Sequence, residues 1–157
     1  MRQEKQWEIR PALLSEWEDA MLLAWRTFDR FLAEEYTPEG IRNFQDFVTD
    51  EQLKRMFVAN QYHLFCAFAD GHMVGIVSLR ERAHISLLFV DSAYHRQGIG
   101  MRLLDYAGTF LKELKEPGMT VNASTYAVDF YHAYGFEDLR PKETKDGITY
   151  TPMVYRF

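Results

Sequence analysis

The sequence predicts a mixed α/β (α+β) fold, in which a mostly antiparallel central sheet is flanked by helices and contains one parallel strand pair. Three observations carry that expectation. Apolar residues recur at helical spacing in the first third, and the middle third switches to β-rich runs broken by an Asp-Gly turn. A glycine segment then joins one strand to a helix and onward to another strand. Runs linked by a hairpin pair antiparallel, whereas a strand, helix, strand passage returns its second strand parallel through a right-handed crossover.

The elements follow in order. Residues 7–10 alternate apolar and polar side chains and read as a first strand. Ser15 with Glu18 has the pattern of a capping box before Trp17, Met21, Leu22, Trp25, Phe28 and Phe31, which predicts an amphipathic helix over 15–33. Thr37-Pro38 places a cap residue before a proline at the first helical position, starting a second helix through about 47. Thr49 with Gln52 repeats the capping pattern for a short helix over 50–58. Residues 62–68 and 73–79 are β-rich runs around Asp70-Gly71, a hairpin signal, and 84–90 supplies a further strand. A helix over 98–114 ends at Pro117-Gly118; a strand over 119–123 and a helix over 125–134, closed by Gly135, come next. Asp146-Gly147 turns between two last strands.

With 157 residues, 47% of them hydrophobic, the chain suits one domain, 1–157, because burial becomes efficient at this size. A formal charge of −5 argues against nucleic acid as a partner, since such binders carry a basic stripe. No apolar stretch approaches the roughly 20 residues that span a bilayer. The single cysteine, Cys66, allows no internal disulfide, and residues 1–5 lack the apolar core of a secretory signal, so a cytoplasmic protein is expected. Asn122-Ala123-Ser124 matches a glycosylation sequon, which counts for nothing without secretion.

The segment Val-Asp-Ser-Ala-Tyr-His-Arg-Gln-Gly-Ile-Gly-Met, residues 90–101, is the most informative part of the chain. A strand that enters a helix through closely spaced glycines leaves backbone N–H groups unpaired at the helix start, where they hold phosphate. Met101 and Arg102 after Gly100 exclude a Walker loop, which needs Lys and Ser/Thr there; Leu103 excludes the third glycine of a dinucleotide fingerprint. The same spacing also fits a purely structural tight turn.

Residues 87–136 resemble the cofactor-binding half of the GNAT superfamily, the acyl-CoA-dependent N-acetyltransferases. That family's signature, Gln/Arg-x-x-Gly-x-Gly/Ala after a strand, falls on His95, Arg96, Gln97, Gly98, Ile99 and Gly100. A second block, of the form Asn-Ala-Ser…Ala-x-x-Phe-Tyr-x-x-x-Gly-Phe, falls on Asn122-Ala123-Ser124, Ala127, Phe130-Tyr131 and Gly135-Phe136. The first signature position holds His95 in place of Gln or Arg, and Ser92 stands where the family has proline.

The resemblance implies acetyl-CoA (coenzyme A) as cofactor and a small-molecule or peptide amine as acceptor, acetylated by direct attack in a ternary complex. It assigns the pyrophosphate to backbone N–H groups of Arg96, Gln97, Gly98, Ile99, Gly100 and Met101, with His95 at a position whose side-chain contact is either weakened or made pH-dependent by the histidine. The pantetheine arm would pair with Leu88, Phe89 and Val90, the N–H of Leu88 serving as oxyanion donor, and Asn122 would touch the arm from the other side. Tyr131 corresponds to the general acid toward the departing thiolate, and Glu81 and His84 are the candidate bases. A non-catalytic acyl-CoA-binding sensor or partner module of the same fold is the alternative.

Other residues have plainer readings. The five histidines share no ligand spacing, so no metal is expected. Cys66 between Phe65 and Ala67 reads as a buried, inert thiol. The aromatic stripe from Trp17 to Phe31 is mostly core, its far end with Tyr36 and Phe44 falling in the region that overlies the acceptor site in similar proteins; Glu34 and Glu35 read as a solvated helix end. The closing strand, 148–157, is expected to leave a free edge that could serve a homodimer.

Overall fold

The computed structural model describes residues 7–81 and 83–157, so the 1–5 segment lies outside the described residues. One sheet holds eight strands: β1 (Trp7–Pro11), β2 (His63–Ala69), β3 (His72–Arg80), β4 (His84–Val90), β5 (Gly118–Ser124), β6 (Glu137–Asp138), β7 (Glu143–Lys145) and β8 (Ile148–Arg156). Their order is β1-β2-β3-β4-β5-β8-β6, with β7 also paired to β8. Every pairing is antiparallel except β4 with β5, which is the parallel pair expected around the glycine segment.

Alternation along the strands builds a core on each face. Ile76 and Cys66 face α1 (Trp17–Phe31), α2 (Pro38–Val48) and α3 (Glu51–Val58), joining Trp17, Leu23 and Leu87. Val77 and Leu79 face the other way, toward Leu103, Leu104 and Leu111 of α4 (Ile99–Glu113) and Tyr131 of α5 (Val128–Tyr134). Cys66 is fully buried, and burial pushes its thiol up to about 12, which keeps it unreactive.

Both Asp-Gly turns form as their chemistry dictates, Asp70 and Gly71 at φ 50 and 84, Asp146 and Gly147 at φ 54 and 79. Thr37 caps α2 by accepting from the Gly40 N–H, with Pro38 at the first helical position. Both expected capping boxes are corrected. Glu16, not Glu18, turns back to the chain, accepting from the Leu13 N–H at 2.7 Å while Arg10 grips it with two nitrogens; Glu18 instead pairs with Lys54. Asp50, not Thr49, caps α3, because the Thr49 hydroxyl is spent on the Gln45 carbonyl at the end of α2.

The closing strand is also corrected. β8 is flanked by β5 along one side and by β6 and β7 along the other, so its edge is not free and offers no dimer surface of the kind expected. The residues that occupy it, Glu137-Asp138 and Glu143–Lys145, are too short and polar for strand periodicity to reveal.

One polar cluster sits inside the helical-face core. The buried Tyr62 hydroxyl lies 2.6 Å from Ser78 Oγ and 3.1 Å from Ser86 Oγ, tying β3 to β4. Ser78 is fully buried, so removing its partner strands a hydroxyl. Tyr62→Phe is expected to destabilise the fold by about 1–3 kcal/mol, read as a lower urea midpoint at unchanged slope.

Candidate active site

The site begins with a failure of pairing. β4 and β5 meet at only two positions, His84 with Thr120 and Ile85 with Val121, after which β5 continues with β8 and β4 with β3. The strands therefore part toward their C-terminal ends, leaving a wedge between them. Ser86 has no partner in the β3 register, which passes from Leu79–Ile85 to Ser78–Leu87. Such a bulge shifts the alternation of peptide groups by one residue.

Two hydrogen bonds fix the result. The Thr120 N–H donates to the Ala83 carbonyl, so odd-numbered peptide groups face β5 before the bulge. The Asp91 N–H donates to the Val74 carbonyl of β3, so after the bulge the odd-numbered groups face β3. Leu88 and Val90 thus direct their N–H and C=O groups into the wedge, where no strand receives them.

On one side of the wedge lies a groove of about 590 Å³, lined by Leu88, Phe89, Val90 and the loop that follows. In that loop Asp91 caps a short turn, and Arg96 and Gly98 both take left-handed backbone, φ 64 and 82. Gly98 supplies that conformation without strain and opens α4. The first bond of the helix runs from the Arg102 N–H to the Gly98 carbonyl, so the N–H groups of Ile99, Gly100 and Met101 point out of the helix start. No acidic side chain occupies that first turn, which suits an anion. Gly100 has a different task, because a Cβ there would come within 3.0 Å of the Phe130 ring on α5.

The His95 ring turns inward. Its Nε2–H donates to the Val90 carbonyl at 2.7 Å, and the ring stacks at 5.1 Å on Phe31, which in turn stacks on Tyr126. Phe31 thereby joins the two lips of the groove, one after β4 and one after β5. The side chain at the first signature position is committed to holding the loop against the strand end.

On the other side lies a second groove of about 800 Å³, which shares Leu88, Phe89 and Tyr131 with the first. Its roof is α2, docked on the β7–β8 turn by the Thr37 N–H on the Gly147 carbonyl and Asn43 on the Asp146 carbonyl. Phe28 and Phe44, stacked at 4.0 Å, form one wall together with Tyr36. The floor is polar: Arg80, His84 and Ser86 line it, and Tyr62 lies beneath Ser86. Arg80 Nε is buried without a hydrogen-bond partner among the described residues.

Tyr131 stands where the grooves meet, 4% exposed, with its ring edge-on to Phe130 and Phe136. Its hydroxyl makes no hydrogen bond to the described residues, and burial pushes its pKa up, so it stays a neutral donor. His84 shares a 2.8 Å hydrogen bond between Nδ1 and the Thr120 hydroxyl. Burial, reinforced by the Arg80 charge, pushes its pKa down to about 4, so its imidazole is neutral at ordinary pH.

The structure gathers most of the sequence candidates in one groove and places Asn122, Glu81 and Gln97 outside it. Leu88, Phe89, Val90, His95, Arg96, Gly98, Ile99, Gly100, Met101 and Tyr131 line the first groove. Asn122 lines the second groove instead. Glu81 is exposed in the turn before β4, beside a different cleft with Glu116 and Arg156 at the opposite end of the strands. The expectation of Glu81 as base is thus corrected by position, since the wedge opens at the other end of β4. Gln97 is exposed and outside the lining. Arg80, Ser86 and Tyr126 were not singled out by the sequence, whose signals were a serine inside the apolar run 85–90 and an arginine closing the run before it; Phe31, read as part of the mostly core aromatic stripe, lines the first groove.

Comparison with known proteins agrees with this geometry. A family model described as acetyltransferase (GNAT) domain matches residues 32–157. The uncharacterized N-acetyltransferase YafP of Escherichia coli (strain K12) is 27% identical over 128 residues, which cover 80% of this chain and 78% of YafP. A GCN5-related N-acetyltransferase from Rhodopseudomonas palustris superposes with a TM-score of 0.83 over 100% of both chains at 20% identity. PaiA N-acetyltransferase from Thermoplasma acidophilum, solved in complex with coenzyme A, gives 0.80 at 21% identity, covering 97% of this chain and 99% of its own. No helix among the described residues is long and apolar enough to cross a membrane.

The low His84 pKa has a consequence for stability. An unfolded histidine takes its proton near pH 6.5, while folded His84 resists until about 4, so the unfolded state binds more protons across that window. Stability is therefore lost as pH falls from 6.5 toward 4. His84→Gln should flatten that slope relative to wild type in urea midpoints taken across the window, and parallel slopes would contradict the buried, neutral imidazole.

Proposed function

The chain belongs to the acetyltransferase (GNAT) domain family, and on that premise we propose that it transfers acetyl from acetyl-CoA to a primary amine by direct attack within a ternary complex. The observation that carries this is the wedge between β4 and β5, which opens on two grooves that share Leu88, Phe89 and Tyr131. Two reactants entering from opposite sides meet at one place, and holding them there converts an encounter into an intramolecular step.

The residues present fit coenzyme A. The outward N–H groups of Ile99, Gly100 and Met101 suit its pyrophosphate, with Arg96 beside them and no carboxylate in the turn to oppose it. The unpaired N–H and C=O of Leu88 and the N–H of Val90 suit the amides of its pantetheine arm, which would extend β4 as a missing strand does. Acetyl-CoA when bound supplies an activated acetyl carbon and a sulfur leaving group.

The protein's part is then electrostatic and positional. The Leu88 N–H donates to the carbonyl oxygen as negative charge develops there. The Tyr131 hydroxyl donates to the departing sulfur; its raised pKa makes it a hydrogen-bond donor that stays protonated across the working range. His84 holds a neutral ring in the acceptor groove but is too weak a base to deprotonate an ammonium efficiently, so the amine is taken up in its neutral form. His95 keeps the loop closed on Val90.

Calorimetry with CoA and a thiol-release assay over an amine panel test this directly. CoA is expected to bind and at least one amine to be acetylated; binding without turnover would favour the acyl-CoA-binding module, and no binding at millimolar CoA would remove the cofactor. Tyr131→Phe should lower kcat about 10²-fold while CoA affinity stays within about threefold of wild type. Unchanged turnover in that variant would remove Tyr131 from the chemistry.

A further inference from the structure

Four charged side chains line the acceptor groove apart from His84, and only one of them belongs to its floor. Glu39, Lys145 and Asp146 are exposed at the rim, whereas Arg80 is half-buried at the end of β3. Its Nε has no partner, and no carboxylate among the described residues forms an ion pair with it. Arg80 faces His84 across the β3–β4 register, with Tyr62 and Ser86 alongside; the Glu81 carboxylate next in the chain is exposed and outside the groove lining. Around this cation the walls are aromatic, built by Phe28, Tyr36, Phe44, Phe47, Phe89 and Tyr150.

A guanidinium is a planar fork of donors that matches a carboxylate through two parallel bonds, and Arg80 brings one to the groove lining with no ion pair among the described residues to occupy it. The aromatic walls suit an apolar body and give no acidic floor for a second ammonium, which the guanidinium would repel.

Given the acetyl-transfer reading, on which this rests, we propose that the acceptor is a small amine carrying a carboxylate on an apolar body, as a hydrophobic amino acid does, and that Arg80 holds the carboxylate. The amine then points along β4 toward Leu88 and Tyr131. In the net reaction one N–H hydrogen of the neutral amine is replaced by acetyl and that hydrogen ends on sulfur, giving an N-acetyl amino acid and free CoA thiol.

Matched pairs that differ only in the carboxylate test the assignment on the full chain: leucine against isoamylamine and phenylalanine against phenethylamine, each in the thiol-release assay. The amino acid is expected to exceed its decarboxylated partner in kcat/KM on the order of 10²-fold. Arg80→Gln should bring that ratio close to one by raising KM for the amino acid, and Arg80→Lys should restore part of it; CoA affinity within about threefold of wild type shows that both variants are folded. Equal or faster turnover of the decarboxylated amines, or a ratio that survives Arg80→Gln, overturns the assignment. If neither series releases thiol while CoA binds calorimetrically, the acceptor class is wrong and the cofactor reading stands. If CoA does not bind, both fall together.

Discussion

Between Ile85 and Leu87, β4 carries one residue more than β3 pairs with, and that residue, Ser86, reverses which edge of the strand each later peptide group faces. Without it, Leu88 would turn its N–H and C=O toward β3, leaving the groups that face the wedge one position out of place. With it, β4 is paired to β5 at His84 and Ile85, then released, and no strand takes up the Leu88 peptide groups or the Val90 N–H. The buried Tyr62 hydroxyl reaches both Ser86 and Ser78, so the bulge is fastened to β3 by side chains where the backbone ladder cannot do it.

Everything around the wedge follows from that opening. α4 starts beside the end of β4 because the loop is pinned back by His95 on the Val90 carbonyl, and this sets the helix N-terminus at the mouth of one groove. α2 rests on the β7–β8 turn and roofs the other. The chain as a whole carries −5, so what favours an anion at the α4 start is local: backbone dipoles and a first turn free of carboxylates. The floor of the second groove shows the same locality, with one half-buried cation next to an imidazole held neutral.

What was legible in the sequence was what depends on neighbours in the chain. The Asp-Gly turns, Thr37-Pro38 at a helix start and the strand 84–90 form where the residues put them, because turn and cap chemistry acts over two or three residues. The two capping boxes were misplaced for the same kind of reason at longer reach: Arg10, six residues away on β1, claims Glu16, and Lys54 on α3 claims Glu18. The bulge at Ser86 depends on register across strands and leaves no local mark. Arg80, Ser86, His84 and Tyr62 come together only through the pairing of β3 with β4, so no spacing in the sequence announces them. Glu81 failed in the opposite way: three residues from His84 in the chain, it lies in a turn outside the wedge.

Amide NMR of the protein titrated with CoA shows whether the released edge of β4 receives the coenzyme. The amides of Leu88 and Val90 are expected to shift and gain exchange protection together with those of Ile99, Gly100 and Met101, while Leu87 and Phe89, already bonded to β3, change little. Perturbation confined to the α4 start, or protection at Leu87 and Phe89 in place of Leu88 and Val90, would contradict it.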